Sequence, residues 1–250
     1  LFAALIAKSW GWTNVFGFAL IPLVIAFLFY LFAAKDSPEQ PDPKPLSAYG
    51  DVLKEKDAWW FMLFYGVTFG GFVGLSSSLP TWFADTFGIT PVIAGYCTAA
   101  CVFTGSLVRP LGGALADRFG GIRTLTIVYG LAAAMLAVIA SVASQGLPLA
   151  IALFIVAMGT LGVGNGAVFQ LVPQRFRKEI GVMTGLVGFG GGLGGFYLAS
   201  SLGYAKKIAG TSAPGFLIFA GLALVALVGL TAVKSRWRTT WGAALHGARI

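Results

Sequence analysis

The sequence predicts an all-α, polytopic membrane protein, and three observations carry that prediction. Of its 250 residues, 57 % are apolar and only 10 % charged, with a mean hydropathy of +0.84, whereas soluble domains carry roughly 25 % charged residues. Seven apolar segments, near residues 13–34, 58–83, 92–116, 124–144, 148–173, 181–204 and 213–233, each reach the roughly 20 residues that cross a hydrocarbon core. The basic residues fall between these segments with a strong bias to one side.

Taken in order, the chain opens with apolar residues 1–7 and no initiator methionine, as if cut into an earlier helix, so it reads as a fragment. Its opening residues show no charged segment followed by a short apolar core and cleavage site. Residues 1–34 are the end of one helix bundle. Residues 35–57, rich in proline and charge (KDSPEQPDPKP), form a solvated linker that cannot bury a core. Residues 58–233 supply a six-helix bundle, and residues 234–250 a tail in which Trp237 and Trp241 beside basic residues rest at the membrane interface.

Charge then orients the chain. Lys35, Lys44, Lys54, Lys56, Arg118, Arg123, Arg175, Arg177, Lys178, Lys234, Arg236, Arg238 and Arg249 fall on one side, against Lys8, Lys206 and Lys207 on the other. The positive-inside rule places the linker and the C-terminus in the cytoplasm of a multi-pass protein of the cell inner membrane. The net charge of +8 therefore belongs to loops facing a lipid bilayer, and no nucleic-acid partner is implied. Cys97 and Cys101 lie four apart on one helix, a spacing poorly suited to a disulfide, with no histidine near to complete a metal site. They read as small buried residues, and no cofactor or metal is expected.

The most informative stretch is residues 104–123, TGSLVRPLGGALADRFGGIR. Arg109 is the one charge in an apolar run of about twenty residues, at a cost of about 2.5–3.5 kcal/mol on insertion scales. Such a charge is tolerated mostly where it faces a cavity and acts there, and a positive interior site points to an anion. The fifth segment carries Asn165 and Phe169 on one face, within GVGNGAVFQ. The sixth carries the run GLVGFGGGLGG, whose glycines four apart (Gly188 with Gly192, Gly191 with Gly195) let backbones approach. Tyr65, Phe69, Phe72 and Ser76 stand at i, i+4, i+7 and i+11 and share one helical face.

These features carry a resemblance. One apolar segment, a long lysine-bearing charged linker and six more segments resemble the second half of a major facilitator transporter with the last helix of the first half, seven helices of an expected twelve. The turn GGALADRFGGIR (residues 112–123) is similar to that superfamily's loop between the second and third helices of a half. Its Gly113, Asp117, Arg118, Gly121 and Arg123 are then the conformational motif. Glycines allow the tight turn, Asp117 can cap a helix N-terminus, and the arginines anchor the cytoplasmic face.

The pair GVGNGAVFQLVP and GLVGFGGGLGG resembles motifs of the nitrate/nitrite porter family. That resemblance implies an anion held by Arg109, with Tyr65, Phe69 and Phe169 lining the site and Gly191 and Gly192 in the signature helix. It also implies alternating access, with nitrate or nitrite as substrate and an absent N-terminal half as partner. The residues agree: an arginine fork, a phenol, the Asn165 amide and flat rings suit a small planar oxyanion.

Plainer readings stand beside each residue. Tyr65 and Phe69 read equally well as lipid-facing or packing residues, Asn165 as a bridge between two helices, and Arg109 as a partner of backbone carbonyls. All nine acidic residues (Asp36, Glu39, Asp42, Asp51, Glu55, Asp57, Asp85, Asp117 and Glu179) read as loop residues, and His246, the sole histidine, lies in the tail. An intramembrane enzyme would need a base or metal ligand that the spans do not contain. A carrier of another small or organic anion, or a sensor that keeps the fold without moving solute, remains a rival to the nitrate/nitrite transporter.

Overall fold

The computed structural model describes residues 2–35, 45 and 47–242; most of the proline-rich stretch, His246 and Arg249 lie outside them. Ten α-helices form among the described residues: α1 (Phe2–Trp10), α2 (Trp12–Ala33), α3 (Ser47–Lys54), α4 (Lys56–Phe87), α5 (Pro91–Leu107), α6 (Arg109–Phe119), α7 (Gly121–Val142), α8 (Leu147–Arg175), α9 (Ile180–Ala209) and α10 (Ala213–Thr239). Seven spans are long and apolar enough to cross a membrane, with α5 and α6 counted as one. In a bilayer each helix satisfies its own backbone groups, which is why spans so rich in glycine still form.

The core lies between α4, α8 and their neighbours. Phe61, Phe64, Val67, Leu75, Leu79 and Phe83 of α4 and Phe154, Met158, Leu161 and Val168 of α8 are buried. The Tyr129 hydroxyl on α7 donates to the Phe64 carbonyl at 3.1 Å. Helices α4 and α9 pack backbone to backbone: a Cβ added at Gly70 or Gly74 of α4, or at Gly190 or Gly194 of α9, would come under 3.0 Å from the facing helix. Small residues four apart permit that approach without a hydrophobic driving force between the helices. By contrast α2 buries none of its residues within this chain.

Four sequence expectations change here. The predicted single helix over 92–116 is two, broken at Val108 (φ −83°, ψ −4°). Pro110 has no N–H to give and crowds the turn before it, so the helix kinks. Bonds from Val108 N to the Thr104 carbonyl (3.2 Å) and from Gly112 N to the Val108 carbonyl (3.1 Å) carry the ladder around the break. The linker is not wholly solvated, because α3 forms within it and buries Val52. The tail does not begin at Lys234: α10 runs on to Thr239, and Trp237 is fully buried, stacked on Phe61 at 4.8 Å between ring centres.

Asp57 is the fourth. It belongs to the first turn of α4, is 5 % exposed, and collects donors from two other helices. Arg175 Nε of α8 reaches Asp57 at 2.8 Å, Trp237 Nε1 of α10 at 2.8 Å, and Arg236 of α10 closes the cluster. Arg175 also pairs with Glu55 at 2.9 Å. The ends of α4, α8 and α10 are thus tied at the linker side. Asp57→Ala would leave Arg236 and the Trp237 indole N–H without this partner, while Arg175 keeps only Glu55. A broken buried pair costs up to about 3–5 kcal/mol, and about 2–3 kcal/mol is expected here because the arginines keep some water contact. Thermal unfolding in detergent measures it; a loss below about 0.5 kcal/mol would mean that water replaces the carboxylate.

Candidate functional site

Four helices bring the predicted residues to one depth. Counted from the linker-side helix ends, Tyr65 is nine residues from Lys56, Arg109 ten from Phe119, Asn165 ten from Arg175 and Gly191 eleven from Ile180. At 1.5 Å per residue these are about 14–17 Å into the bundle, near the middle of a membrane.

Arg109 opens α6 directly after the kink. Its guanidinium carbon sits 4.4 Å from the centre of the Phe72 ring and 5.4 Å from that of Phe69. Ring faces attract a cation, by about 0.5–2 kcal/mol, and so hold the group without neutralising it. Among the described residues Arg109 has no ion pair or hydrogen bond, and its Nε is buried without a partner. The reading in which it pairs with backbone carbonyls therefore does not describe this structure.

The aromatic residues build a wall beside it. Tyr65 and Phe69 stack with centres 4.9 Å apart and planes 4° from parallel, and Phe169 meets Tyr65 edge-on at 4.9 Å. Tyr65 is 8 % exposed, so it does not face lipid. Gly191 lies against this stack, where an added Cβ would approach Phe69 Cδ1 to 2.7 Å and Tyr65 Cδ1 to 2.8 Å. Asn165 is 4 % exposed and both its amide atoms lack partners, so it is not the helix-bridging asparagine of the plainer reading.

Gly192 stands apart: it is exposed, and an added Cβ would meet nothing within 4 Å. The same holds for Gly188, so the packing of α9 runs through Gly190, Gly191, Gly194 and Gly195 rather than the Gly188–Gly192 pair.

The motif around the α6–α7 turn takes its shape from glycine. Gly120, at φ 96°, is a backbone position that side chains avoid. Gly121 lets the turn press on α8, since a Cβ there would reach Leu171 Cγ at 2.5 Å. Gly113 has open space on its Cβ side. Asp117 does not cap α7; it lies exposed in the last turn of α6, and Gly120 takes the cap position without a side-chain bond. Arg118 packs over Phe119 at 5.2 Å, and Arg123 is exposed.

A cavity of about 490 Å³ lies elsewhere, at the far ends of α4, α7, α9 and α10, among Ser78, Trp82, Asp85, Lys206 and Phe216. Asp85 pairs with Lys206 there, so no free charge faces it from that pair. Arg109 itself is half-buried, away from this cavity.

Periodicity located Phe72 on the site's face but did not single it out; the approach of the guanidinium did. A bundle of apolar helices with a cation held among aromatic rings, and no carboxylate paired with it among the described residues, defines a helical membrane protein. Residues 1–199 match the family model of the Major Facilitator Superfamily, and the chain belongs to that family. It is similar to a nitrite extrusion protein of Bacillus subtilis, 31 % identical over 90 % of this chain and 57 % of the relative. A probable nitrate transporter, NarT, of Staphylococcus haemolyticus is 31 % identical over 89 % of the chain and 57 % of its own length. A probable nitrate/nitrite antiporter, NarK1, of Thermus thermophilus is 30 % identical over 87 % and 53 %. The chain thus spans a little over half the length of these relatives.

Proposed function

We propose that the chain forms the C-terminal bundle of a secondary transporter, not an enzyme, that moves nitrate or nitrite across the cell inner membrane by alternating access. The observation that carries this reading is the Arg109 guanidinium, unpaired at mid-membrane between ring faces. Its planar fork offers two parallel donors to two oxygens of one anion. The stacked Tyr65 and Phe69 give a flat wall suited to a planar ion. The names of the relatives point to the same substrates.

Alternating access rocks one bundle against another around a site between them. The partner in this proposal is an N-terminal half that faces the Arg109 site, in line with the greater length of the relatives. The linker side is cytoplasmic, as the basic bias indicates.

The test is counterflow of labelled nitrate into liposomes. The protein completed by its N-terminal half should take up nitrate against internal nitrate or nitrite, and organic anions should not compete. Robust flux through these 250 residues alone would overturn the two-half reading. In intact cells, Ser47→Cys should resist an impermeant thiol reagent while Thr86→Cys reacts; the reverse pattern would invert the orientation.

A further inference from the structure

Asn165 is the buried polar side chain that the Arg109 site leaves unexplained. A structural asparagine within a helix bundle has partners, because a buried amide that makes no hydrogen bond is costly. Here Nδ2 and Oδ1 are both buried and both unpaired. Four residues on, Phe169 touches Tyr65, and one residue on, Gly166 lies against the backbone of Arg109. At about 100° per residue, the amide lies about 40° around α8 from Phe169, on the side of the Tyr65–Phe69 wall, and about 100° from Gly166, which meets α6.

The seating of α8 is unusually close at this point. A Cβ added at Gly162 would fall under 3.0 Å from the Gly105 carbonyl oxygen, and one at Gly166 under 3.0 Å from the Arg109 carbonyl oxygen and Gly113 N. The contact is reciprocal, since Gly105 and Gly112 meet the backbone of Met158 and Val163 in the same way. Four glycines therefore clamp α8 on both sides of the kink that carries Arg109. The clamp fixes how far the Asn165 amide stands from the guanidinium.

We propose that Asn165 is a second anion ligand that favours nitrate over nitrite, with Gly162 and Gly166 as the positioning residues that hold it in register with Arg109. This rests on the reading of the Arg109 site as an anion site. The chemistry follows from oxygen counts. A guanidinium fork occupies two oxygens of one planar anion. Nitrite has no other oxygen, whereas nitrate has a third, and that third oxygen accepts from Asn165 Nδ2. The amide without a protein partner is the mark of this arrangement, and its donor is used only when the larger anion is present.

The test measures nitrate and nitrite affinity by competition on the purified full-length protein, with thermal unfolding alongside. Asn165→Ala should lower nitrate affinity about tenfold, the loss of one hydrogen bond, and leave nitrite affinity within about twofold. It should not lower stability, because the amide removed had no partner. Gly166→Ala should shift the nitrate-to-nitrite ratio the same way. Gly159→Ala, on the same helix but with nothing within 4 Å of its Cβ, should change neither.

Equal losses for both anions in Asn165→Ala, or no loss for either, would overturn the inference while leaving the Arg109 site standing. A parent protein that binds neither anion would instead overturn the function proposed above. Should Gly166→Ala fail to fold, the Asn165→Ala ratio alone decides.

Discussion

Arg109→Lys is expected to weaken nitrate binding roughly ten- to hundredfold, nearly as much as Arg109→Ala, the worth of one charge-assisted hydrogen bond. Lysine keeps the charge but presents a point rather than a planar fork, so it cannot donate two parallel bonds to one anion. It also stacks less well on the rings of Phe69 and Phe72 that now hold the guanidinium 5.4 and 4.4 Å from their centres. A buried ammonium without a counter-ion loses its proton more readily than a guanidinium does. Among the described residues Arg109 has no ion pair to break, so neither variant should lower the amount of protein in the membrane. Nitrate binding to the three proteins at matched expression is the measurement. If lysine binds as tightly as arginine, charge alone suffices and the fork is not used; if alanine does too, the anion sits elsewhere.

How far the site could be read from sequence depends on the kind of signal each residue gives. Arg109 announces itself because a charge in an apolar run has a large free-energy cost and needs a reason. Tyr65, Phe69 and Phe72 are legible together because the 3.6-residue repeat puts them on one face. Which partner stands across from that face is not a local property. Asp57 looked like the last charge of a solvated linker because composition averages over its proline-rich neighbours, yet its donors stand 118 and 180 residues away at Arg175 and Trp237.

The turn at Gly120 was readable as a turn, but the cap assigned to Asp117 was not, since the choice between side chain and glycine depends on the backbone path. Pro110 held the signal for the kink at Val108. A reading by hydropathy alone passes over it, because Val108 and Leu111 on either side stay apolar. The glycine run of α9 is the hardest case. With glycines at 188, 190, 191, 192, 194 and 195, several four-residue spacings fit equally well, and a rotation of one residue, about 100°, decides which of them faces a neighbour.

That rotation makes Gly191→Leu and Gly192→Leu different experiments. Gly191→Leu is expected to weaken nitrate binding beyond about hundredfold, roughly 2.7 kcal/mol or more. Its first carbon alone would come within 2.7–2.8 Å of Phe69 and Tyr65, and three further carbons must enter the space of the stack. Overpacking of this kind costs about 1–3 kcal/mol, which the span can survive, but the parallel rings 4.9 Å apart cannot keep their place beside Arg109. A Cβ at Gly192 meets nothing within 4 Å in this chain and the position is exposed, so the stability and nitrate binding of Gly192→Leu should match the parent. Transport should still fail in Gly192→Leu, because the proposed N-terminal half must close over that exposed face during the cycle. Measuring binding and counterflow separately distinguishes the two: Gly191→Leu loses both, Gly192→Leu only the second. Parental affinity in Gly191→Leu would show that the Tyr65–Phe69 stack does not wall the anion, and full transport in Gly192→Leu would show that this face of α9 meets lipid.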